Sequence, residues 1–131
     1  MSDKKLILVV DDDIDFVEST KMMLEAHGFE VACAYDGAEG LKKAKQNKPD
    51  LLLLDVMMAS DTEGFEVARQ IPATPELKDV PVIMMTGIRR EKNLNYGFEP
   101  DDSWLPVKEV LEKPVPPARL IAAVKSALTK N

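Results

Sequence analysis

Four short apolar runs, each followed by a polar or charged side chain, constrain this chain more than any other feature. The runs are LILVV before Asp11 and Asp12, LLLL before Asp55, VIMM before Thr86 and VLE before Lys113. In a parallel sheet the carboxyl ends of the strands lie at one edge, and open α/β sheets bind their ligands in the crevice there. We therefore expect three carboxylates, one hydroxyl and one ammonium to share a pocket.

Strand-like and helix-like segments alternate along the chain. The predicted strands are Lys5–Val10, Glu30–Ala34, Leu51–Leu54, Pro81–Met85 and Val110–Glu112. The predicted helices are Ile14–His27, Ala38–Lys45, Gly64–Gln70, Arg89–Asn95 and a last one from Pro116 and Pro117 to Thr129. This alternation demands right-handed crossovers, with helices on both faces of a parallel sheet. The fold class is therefore predicted to be α/β, with a doubly wound, five-stranded parallel sheet.

Glycine and proline mark the predicted ends of two helices. Gly28 is a natural stop for the first helix, and Pro72 and Pro75 are expected to end the third. The connection Gly87–Glu109 is long for a link between two strands and holds the only tryptophan, Trp104.

Length and composition indicate one globular domain, residues 1–131. A chain of this size can bury about two-thirds of the surface that it exposes when unfolded. Charged residues make up 31% and apolar residues 45%, as in soluble globular proteins, and no apolar run approaches the length of a membrane span. The net charge of −6 argues against nucleic acid as a direct partner, because binding to a phosphate backbone requires clustered Lys and Arg.

The N-terminus and the single cysteine favour a cytoplasmic location. Met1–Lys5 lacks the apolar segment and cleavage site of a secretory signal. Cys33 lies in the apolar run Val31–Ala34 and is most simply a small buried hydrophobe rather than a redox sensor. We expect no contact with a membrane.

Asp55 is the candidate nucleophile. A carboxylate at the tip of an apolar strand is held rigidly and partly desolvated, and it can accept a phosphoryl group to form an aspartyl phosphate. Asp11, Asp12 and Asp55 can bind Mg2+, which prefers a few carboxylates, several waters and the phosphate itself. The backbone carbonyl of Met57 is the expected further ligand. A metal would also relieve the repulsion among three crowded carboxylates.

Lys113 and Thr86 are the other candidate site residues. Lys113 precedes a proline at the end of the last strand, where its long side chain can pair with Asp55 or with the phosphate. The hydroxyl of Thr86 can donate to a phosphate oxygen and so move between two positions. This set suggests a switch whose input is one covalent phosphate and whose output is a shift of the fourth and fifth strands.

Each residue also has an ordinary structural interpretation. Asp12 or Asp13 can simply cap the first helix. The methionines beside apolar runs are more simply core packing, and four lysines are interpreted as one solvated helix face and loop: Lys42, Lys43, Lys45 and Lys48. The joint pattern favours function, because suitable residues at four separate strand ends, in the right order, would be an improbable accident.

With these motifs the chain resembles the receiver domain of two-component response regulators over nearly its whole length. The residues that carry the resemblance are Asp11 and Asp12 after LILVV, Asp55 closing DLLLLD, Thr86 in VIMMTG, and Lys113-Pro114 in EKP, with GFEV at 64–67 as support. The resemblance implies a flavodoxin-like sheet with the strand order 2-1-3-4-5.

The resemblance also implies roles and partners. Asp55 is then the phosphoacceptor, Asp11 and Asp12 position Mg2+, and Thr86 and Lys113 respond to the phosphate. The chain is expected to be a phosphoacceptor rather than an enzyme, and to receive phosphate from a sensor histidine kinase or a histidine phosphotransfer protein. Because it contains no output domain, it resembles the stand-alone receivers that dock on a downstream protein.

Three features depart from the family pattern. Ala59 stands where the family usually has a proline, and the stretch Ser60–Glu63 is one residue longer. Val110 stands where an aromatic residue is expected, so the paired rearrangement of a threonine and an aromatic side chain cannot operate in its usual form. The connection Gly87–Glu109 is longer than typical, which predicts an unusual partner on that surface or a face that is covered.

Two other classes of function stay open. A phosphorylation-independent, receiver-like protein-binding module would share the fold, and both Val110 and the altered loop after Asp55 favour it. A hydrolase of the haloacid dehalogenase kind also has an aspartate after its first strand and a second one two residues on, a spacing that Asp11 and Asp13 match. The chain leaves no room for the cap domain of such an enzyme.

Overall fold

A computed structural model of the chain describes residues 4–55, 63–86, 109–112 and 115–129. Within these ranges the elements are β1 (Leu6–Val10), α1 (Ile14–Ala26), β2 (Glu30–Ala34), α2 (Gly37–Gln46), β3 (Leu51–Asp55), α3 (Glu63–Ala73), β4 (Val82–Thr86), β5 (Glu109–Glu112) and α4 (Pro117–Thr129). The strands form one parallel sheet in the order β2-β1-β3-β4-β5. The predicted fold class and strand order are confirmed.

Local sequence sets both ends of α1. Asp13 is the N-cap, and its side chain accepts a hydrogen bond of 3.2 Å from the N–H of Phe16, which has no acceptor within the helix itself. At the other end Gly28 has a φ of 92°, a conformation that costs glycine little because it has no Cβ. The predicted stop at Gly28 is confirmed, and α1 begins directly beside the carboxyl end of β1.

Two apolar clusters, one on each face of the sheet, form the core. Neighbouring residues of a strand point to opposite faces, so in β1 Leu8 and Val10 pack with α2 and α3, whereas Ile7 and Val9 pack with α1 and α4. Every residue of β3 is buried, as a central parallel strand requires. Because apolar clusters cover both faces of the sheet, polar side chains gather at the carboxyl ends of the strands instead.

The end of α3 differs from the expectation. The helix continues through Pro72 to Ala73, so the prediction that Pro72 ends it is wrong. Thr74 closes the last turn: its N–H donates to the carbonyl of Ile71 at 3.2 Å, and its hydroxyl donates to the carbonyl of Gln70 at 2.8 Å. These bonds hold the turn although the proline cannot donate to a helical carbonyl.

Two side chains also differ from their predicted surroundings. Met22 is 70% exposed rather than packed, because it lies on the outer face of α1. Lys43 is not simply part of a solvated face, because its ammonium donates to the backbone carbonyl of Cys33. Cys33 is half-buried and packs against one core cluster, so its interpretation as a small apolar side chain holds in part.

Some expectations lie outside the described residues. They concern the predicted helix Arg89–Asn95, the connection Gly87–Glu109 with Trp104, and the loop around Ala59. That residues 1–131 form one domain stays a prediction. None of the helices in the described ranges combines the length and apolar character needed to cross a membrane.

Candidate functional site

Strand register brings Asp11 and Asp55 to the same level of the sheet. In the parallel pairing of β1 with β3, Val10 lies opposite Leu54, and each of these residues is followed directly by an aspartate. The two carboxylates therefore reach the carboxyl edge on neighbouring strands. Asp12 follows Asp11 where the chain leaves β1 for α1.

The carboxylates of Asp11, Asp12 and Asp55 form one cluster. One oxygen from each lies within 4.8 Å of the corresponding oxygens of the other two. Asp11 is 0% and Asp55 is 2% exposed, whereas Asp12 is exposed. The cluster is thus a pocket with a buried floor and one acidic group open to solvent. This geometry brings together three residues that the sequence placed at strand ends.

Hydrogen bonds hold Asp11 in place. Its N–H donates to the carbonyl of Ala34 in β2 at 3.1 Å, and its Oδ1 accepts from the N–H of Asp13 at 2.9 Å. The same carboxylate therefore faces the acidic cluster and braces the turn into α1. Sequence reasoning missed this bracing role, although an aspartate two residues before a helix cap is a common turn signal.

Asp13 has a role separate from the cluster. Its side chain caps α1 and is not among the three clustered carboxylates. Of the two residues predicted as possible caps, Asp13 is the one that caps the helix, and Asp12 remains in the pocket. The run of three aspartates therefore divides into two pocket carboxylates and one structural cap.

The donor set suits a small hard cation. Three carboxylate oxygens that converge from two strands and a turn match the preference of Mg2+ for a few carboxylates, with water and phosphate completing its octahedron. Without a cation, two buried and adjacent negative charges would repel each other. The residues present therefore fit a magnesium site, with Asp11, Asp12 and Asp55 as the groups that would hold the ion.

The remaining predicted site residues are only partly described. Thr86 ends β4, where it pairs with Glu112 of β5, and its side chain is outside the described part of the chain. Lys113 and Met57 also lie outside the described residues. In the sequence Lys113 directly follows Glu112, and its place at this edge stays a prediction.

Val110 lies in β5 opposite Met84 of β4. It is half-buried and packs against the core cluster that contains Met84. A valine in this position has a short, stiff side chain. It therefore cannot swing between a buried and an exposed position as a large aromatic ring can.

An exposed apolar side chain lies at the start of α1, directly after the acidic run. Ile14, the first residue of α1, is 57% exposed and follows the Asp11–Asp13 run directly. Sequence reasoning counted Ile14 only as the start of a helix. The available signal for its exposure was its position directly after the N-cap Asp13. The first residue of a helix need not lie on the face that packs against the core.

Comparison with known proteins gives consistent results. The family described as response regulator receiver domain matches residues 7–125 of the chain. The alkaline phosphatase synthesis transcriptional regulatory protein PhoP of Bacillus subtilis is 36% identical over 127 residues, which cover 97% of this chain and 50% of PhoP. Protein PilH of Pseudomonas aeruginosa is 32% identical over 122 residues, which cover 93% of this chain and 96% of PilH.

A solved structure shares the fold. The crystal structure of a CheY-like response regulator receiver domain protein from Methanospirillum hungatei superposes with a TM-score of 0.78 at 32% identity, covering 96% of this chain and 94% of that one. The chain thus spans about half the length of some curated relatives and nearly the full length of others.

Proposed function

The chain belongs to the response regulator receiver family, and from this membership we propose that Asp55 accepts a phosphoryl group with the help of Mg2+. The observation that carries the proposal is the cluster of Asp11, Asp12 and Asp55, whose carboxylate oxygens lie within 4.8 Å of one another. A buried strand end holds Asp55 rigidly, which keeps its carboxylate in place for attack on phosphorus. The chain is then a phosphoacceptor rather than a classical enzyme.

The proposed transfer makes one bond and breaks one. A carboxylate oxygen of Asp55 attacks phosphorus, and the bond from phosphorus to the nitrogen of a donor phosphohistidine breaks. The imidazole leaves and takes a proton from solvent, and Asp55 becomes an acyl phosphate. Bound Mg2+ would neutralise negative charge on the phosphoryl oxygens. Asp11 and Asp12 would hold that ion, and the carbonyl of Met57 is proposed as a further ligand.

We assign the response to the phosphate to Thr86 and Lys113. The hydroxyl of Thr86 would donate to a phosphoryl oxygen, and the ammonium of Lys113 would pair with the phosphate. Support comes from the backbone register, which puts the end of β4 beside the end of β5. Because Val110 has no large ring to move, the output would come from a shift of β4 and β5 themselves.

The partners are proposed from the chemistry of the family. A sensor histidine kinase or a histidine phosphotransfer protein would supply the phosphate in the cytoplasm, and a downstream protein would bind the phosphorylated surface. No nucleic acid contact is proposed, because the net charge is −6 and phosphate backbones attract clustered positive charge. Signalling as a stand-alone receiver stays a prediction.

The direct test is incubation with acetyl phosphate and Mg2+, followed by intact-mass measurement. The wild type should gain the mass of one phosphoryl group, and it should lose this mass in hydroxylamine, which cleaves acyl phosphates. Asp55→Asn should gain nothing while keeping its circular dichroism spectrum. Labelling of Asp55→Asn at the wild-type level would move the acceptor to another residue and contradict the proposal.

A phosphorylation-independent binding module is the second candidate, because Val110 differs from the aromatic residue expected there. Titration with Mg2+ separates the two candidates. Saturable binding at millimolar metal supports the phosphoacceptor, and its absence supports the module. The hydrolase alternative loses its main support, because Asp13 caps α1 and so does not provide the second pocket carboxylate.

A further inference from the structure

The outer edge of β2 is partly covered by charged side chains of α2. β2 is a terminal strand of the described sheet. At its two ends the backbone bonds to the β1 side of the sheet: the N–H of Glu30 donates to the carbonyl of Lys5, and the carbonyl of Ala34 accepts from the N–H of Asp11. Since the backbone groups of successive residues in a parallel strand alternate in direction, those of Val31, Cys33 and Tyr35 point away from the sheet.

Two of these outward groups have side-chain partners. Oε1 of Glu39 accepts from the N–H of Tyr35 at 2.9 Å, and the ammonium of Lys43 donates to the carbonyl of Cys33. Glu39 and Lys43 are themselves an ion pair, with Oε2 and Nζ 3.4 Å apart. One pair of residues on successive turns of α2 thus covers two of the outward groups near the carboxyl end of β2, the N–H of Tyr35 and the carbonyl of Cys33.

The amino end of β2 is more accessible. An open groove lies there, lined by Glu30, Val31 and Ala32 among other residues. Its other lining residues include Lys4 and Leu6 at the start of β1 and Asn47 after α2, so the groove lies at the amino end of the sheet. An exposed strand edge is a template for pairing with another strand.

A second copy of this chain has the geometry to use that edge. An antiparallel pairing of two β2 strands centred on Ala32 would set Val31 opposite Cys33 of the second copy. By symmetry, Cys33 would lie opposite Val31 of the second copy. Each such pair exchanges backbone N–H and C=O bonds in both directions. Of the four backbone carbonyls that would accept these bonds, two would be those of Cys33, one in each copy. The carbonyl of Cys33 is the group that Lys43 contacts.

We propose that the Glu39–Lys43 pair closes the outer edge of β2 to strand addition by a second copy of this chain. The ammonium of Lys43 stands where the amide of an added strand would lie. Enclosing this charge between two strands would remove its water, which is costly, and edge lysines are a known protection against such pairing. An exposed ion pair contributes little to folding, so removing it should change association far more than stability.

The test compares Lys43→Ala with Lys42→Ala in the full chain. Lys42 is the exposed neighbour on α2, so both variants lose one positive charge. In sedimentation velocity over a concentration series, Lys43→Ala should dimerise with a dissociation constant lower by about tenfold or more than that of the wild type or Lys42→Ala. Amide hydrogen exchange at Val31 and Cys33 should slow in the dimer.

Lys43→Arg keeps a charge at the edge and should behave as the wild type does. If Lys43→Ala loses its circular dichroism spectrum, Lys43→Gln serves in its place. The proposal is wrong if the variant associates no more than Lys42→Ala. It is equally wrong if the dimer leaves the amides of Val31 and Cys33 unprotected, or if the wild type already protects them by self-association.

Discussion

Val10 in β1 lies opposite Leu54 in β3, and this single pairing sets the candidate site. Each of the two residues is buried in the core, and each is followed by a carboxylate of the cluster. A slip of one residue between the strands would exchange the apolar side chains that one strand contributes to the two core clusters. It would also separate Asp11 from Asp55. Core packing and the acidic pocket therefore depend on the same register.

The first prediction concerns Mg2+ and Asp12. If the three carboxylates hold Mg2+, the ion should raise the free energy of unfolding by about 1.4 kcal/mol at ten times its dissociation constant. Asp12→Asn should lose most of this gain, because it removes an exposed ligand, and should leave the metal-free stability nearly unchanged. Thermal unfolding with and without Mg2+ measures both quantities.

Asp79→Asn is the matched control, because Asp79 is an exposed aspartate outside the cluster. It should keep the full gain in stability. A Mg2+ effect of equal size in Asp12→Asn and in Asp79→Asn would remove Asp12 from the metal site.

The second prediction separates Asp13 from its neighbours. Asp13→Ala should lower the free energy of unfolding by about 1 kcal/mol, because the N–H of Phe16 loses its capping acceptor. Asp13→Ser should recover most of the loss, since serine also caps helices well. Both variants should bind Mg2+ as the wild type does. Urea denaturation and Mg2+ titration test this, and a large loss of Mg2+ affinity in Asp13→Ser would give Asp13 a place in the pocket.

The sequence predicted the fold and the acidic cluster because both depend on simple periodicity. Buried runs of strand length that alternate with helical segments predict a parallel sheet, and the runs before Asp11 and Asp55 place two aspartates at its carboxyl edge. Gly28 was predictable for a similar local reason, because a positive φ of 92° favours glycine over other residues.

The expectations that were wrong or left open depend on hydrogen bonds that the sequence pattern does not reveal. Pro72 does not end α3, because Thr74 supplies bonds that close the turn. Lys43 in α2 contacts the carbonyl of Cys33 in β2. The residue pattern of α2 alone does not reveal this contact, because the two residues belong to different elements. Whether Asp12 or Asp13 caps α1 was likewise undecided from sequence, because both residues suit a cap and only backbone geometry distinguishes them.

The third prediction concerns the pH dependence of Cys33. Burial raises the pKa of its thiol above the usual value, although Lys21 and Lys43 act in the opposite direction. Alkylation by iodoacetamide should therefore have its pH midpoint at higher pH in the folded protein than in urea, because only the thiolate reacts. Lys43→Ala should move the folded midpoint further up.

The raised pKa of Cys33 also determines how this residue affects the free energy of unfolding as pH changes. The folded protein keeps the thiol proton to higher pH than the unfolded chain does. Above the pKa of the unfolded thiol, ionisation therefore stabilises the unfolded chain relative to the folded protein. The contribution of Cys33 to stability should therefore decline as pH rises above the pKa of the unfolded thiol. Cys33→Ala should lack this decline, and a midpoint lower in the folded protein than in urea would contradict the prediction.

The last prediction concerns Ile14 and the approach of the phosphate donor. Asp55 is only 2% exposed, so a donor histidine must enter the pocket while its protein rests on the rim. Ile14 is a large exposed apolar side chain at the start of α1, and such residues often anchor protein contacts. Ile14→Ala should slow phosphotransfer from a protein donor by about tenfold, equivalent to about 1.4 kcal/mol.

Acetyl phosphate provides the control reaction, because a small donor makes no contact with the rim. Its rate should be the same in Ile14→Ala and in the wild type. Met22→Ala is the matched variant, since Met22 is the more exposed side chain, at 70%, and lies two turns further along α1. It should transfer phosphate from both donors at the wild-type rate. Equal slowing with acetyl phosphate would mean that Ile14 acts on the pocket itself, and equal slowing in Met22→Ala would place the donor along the whole helix.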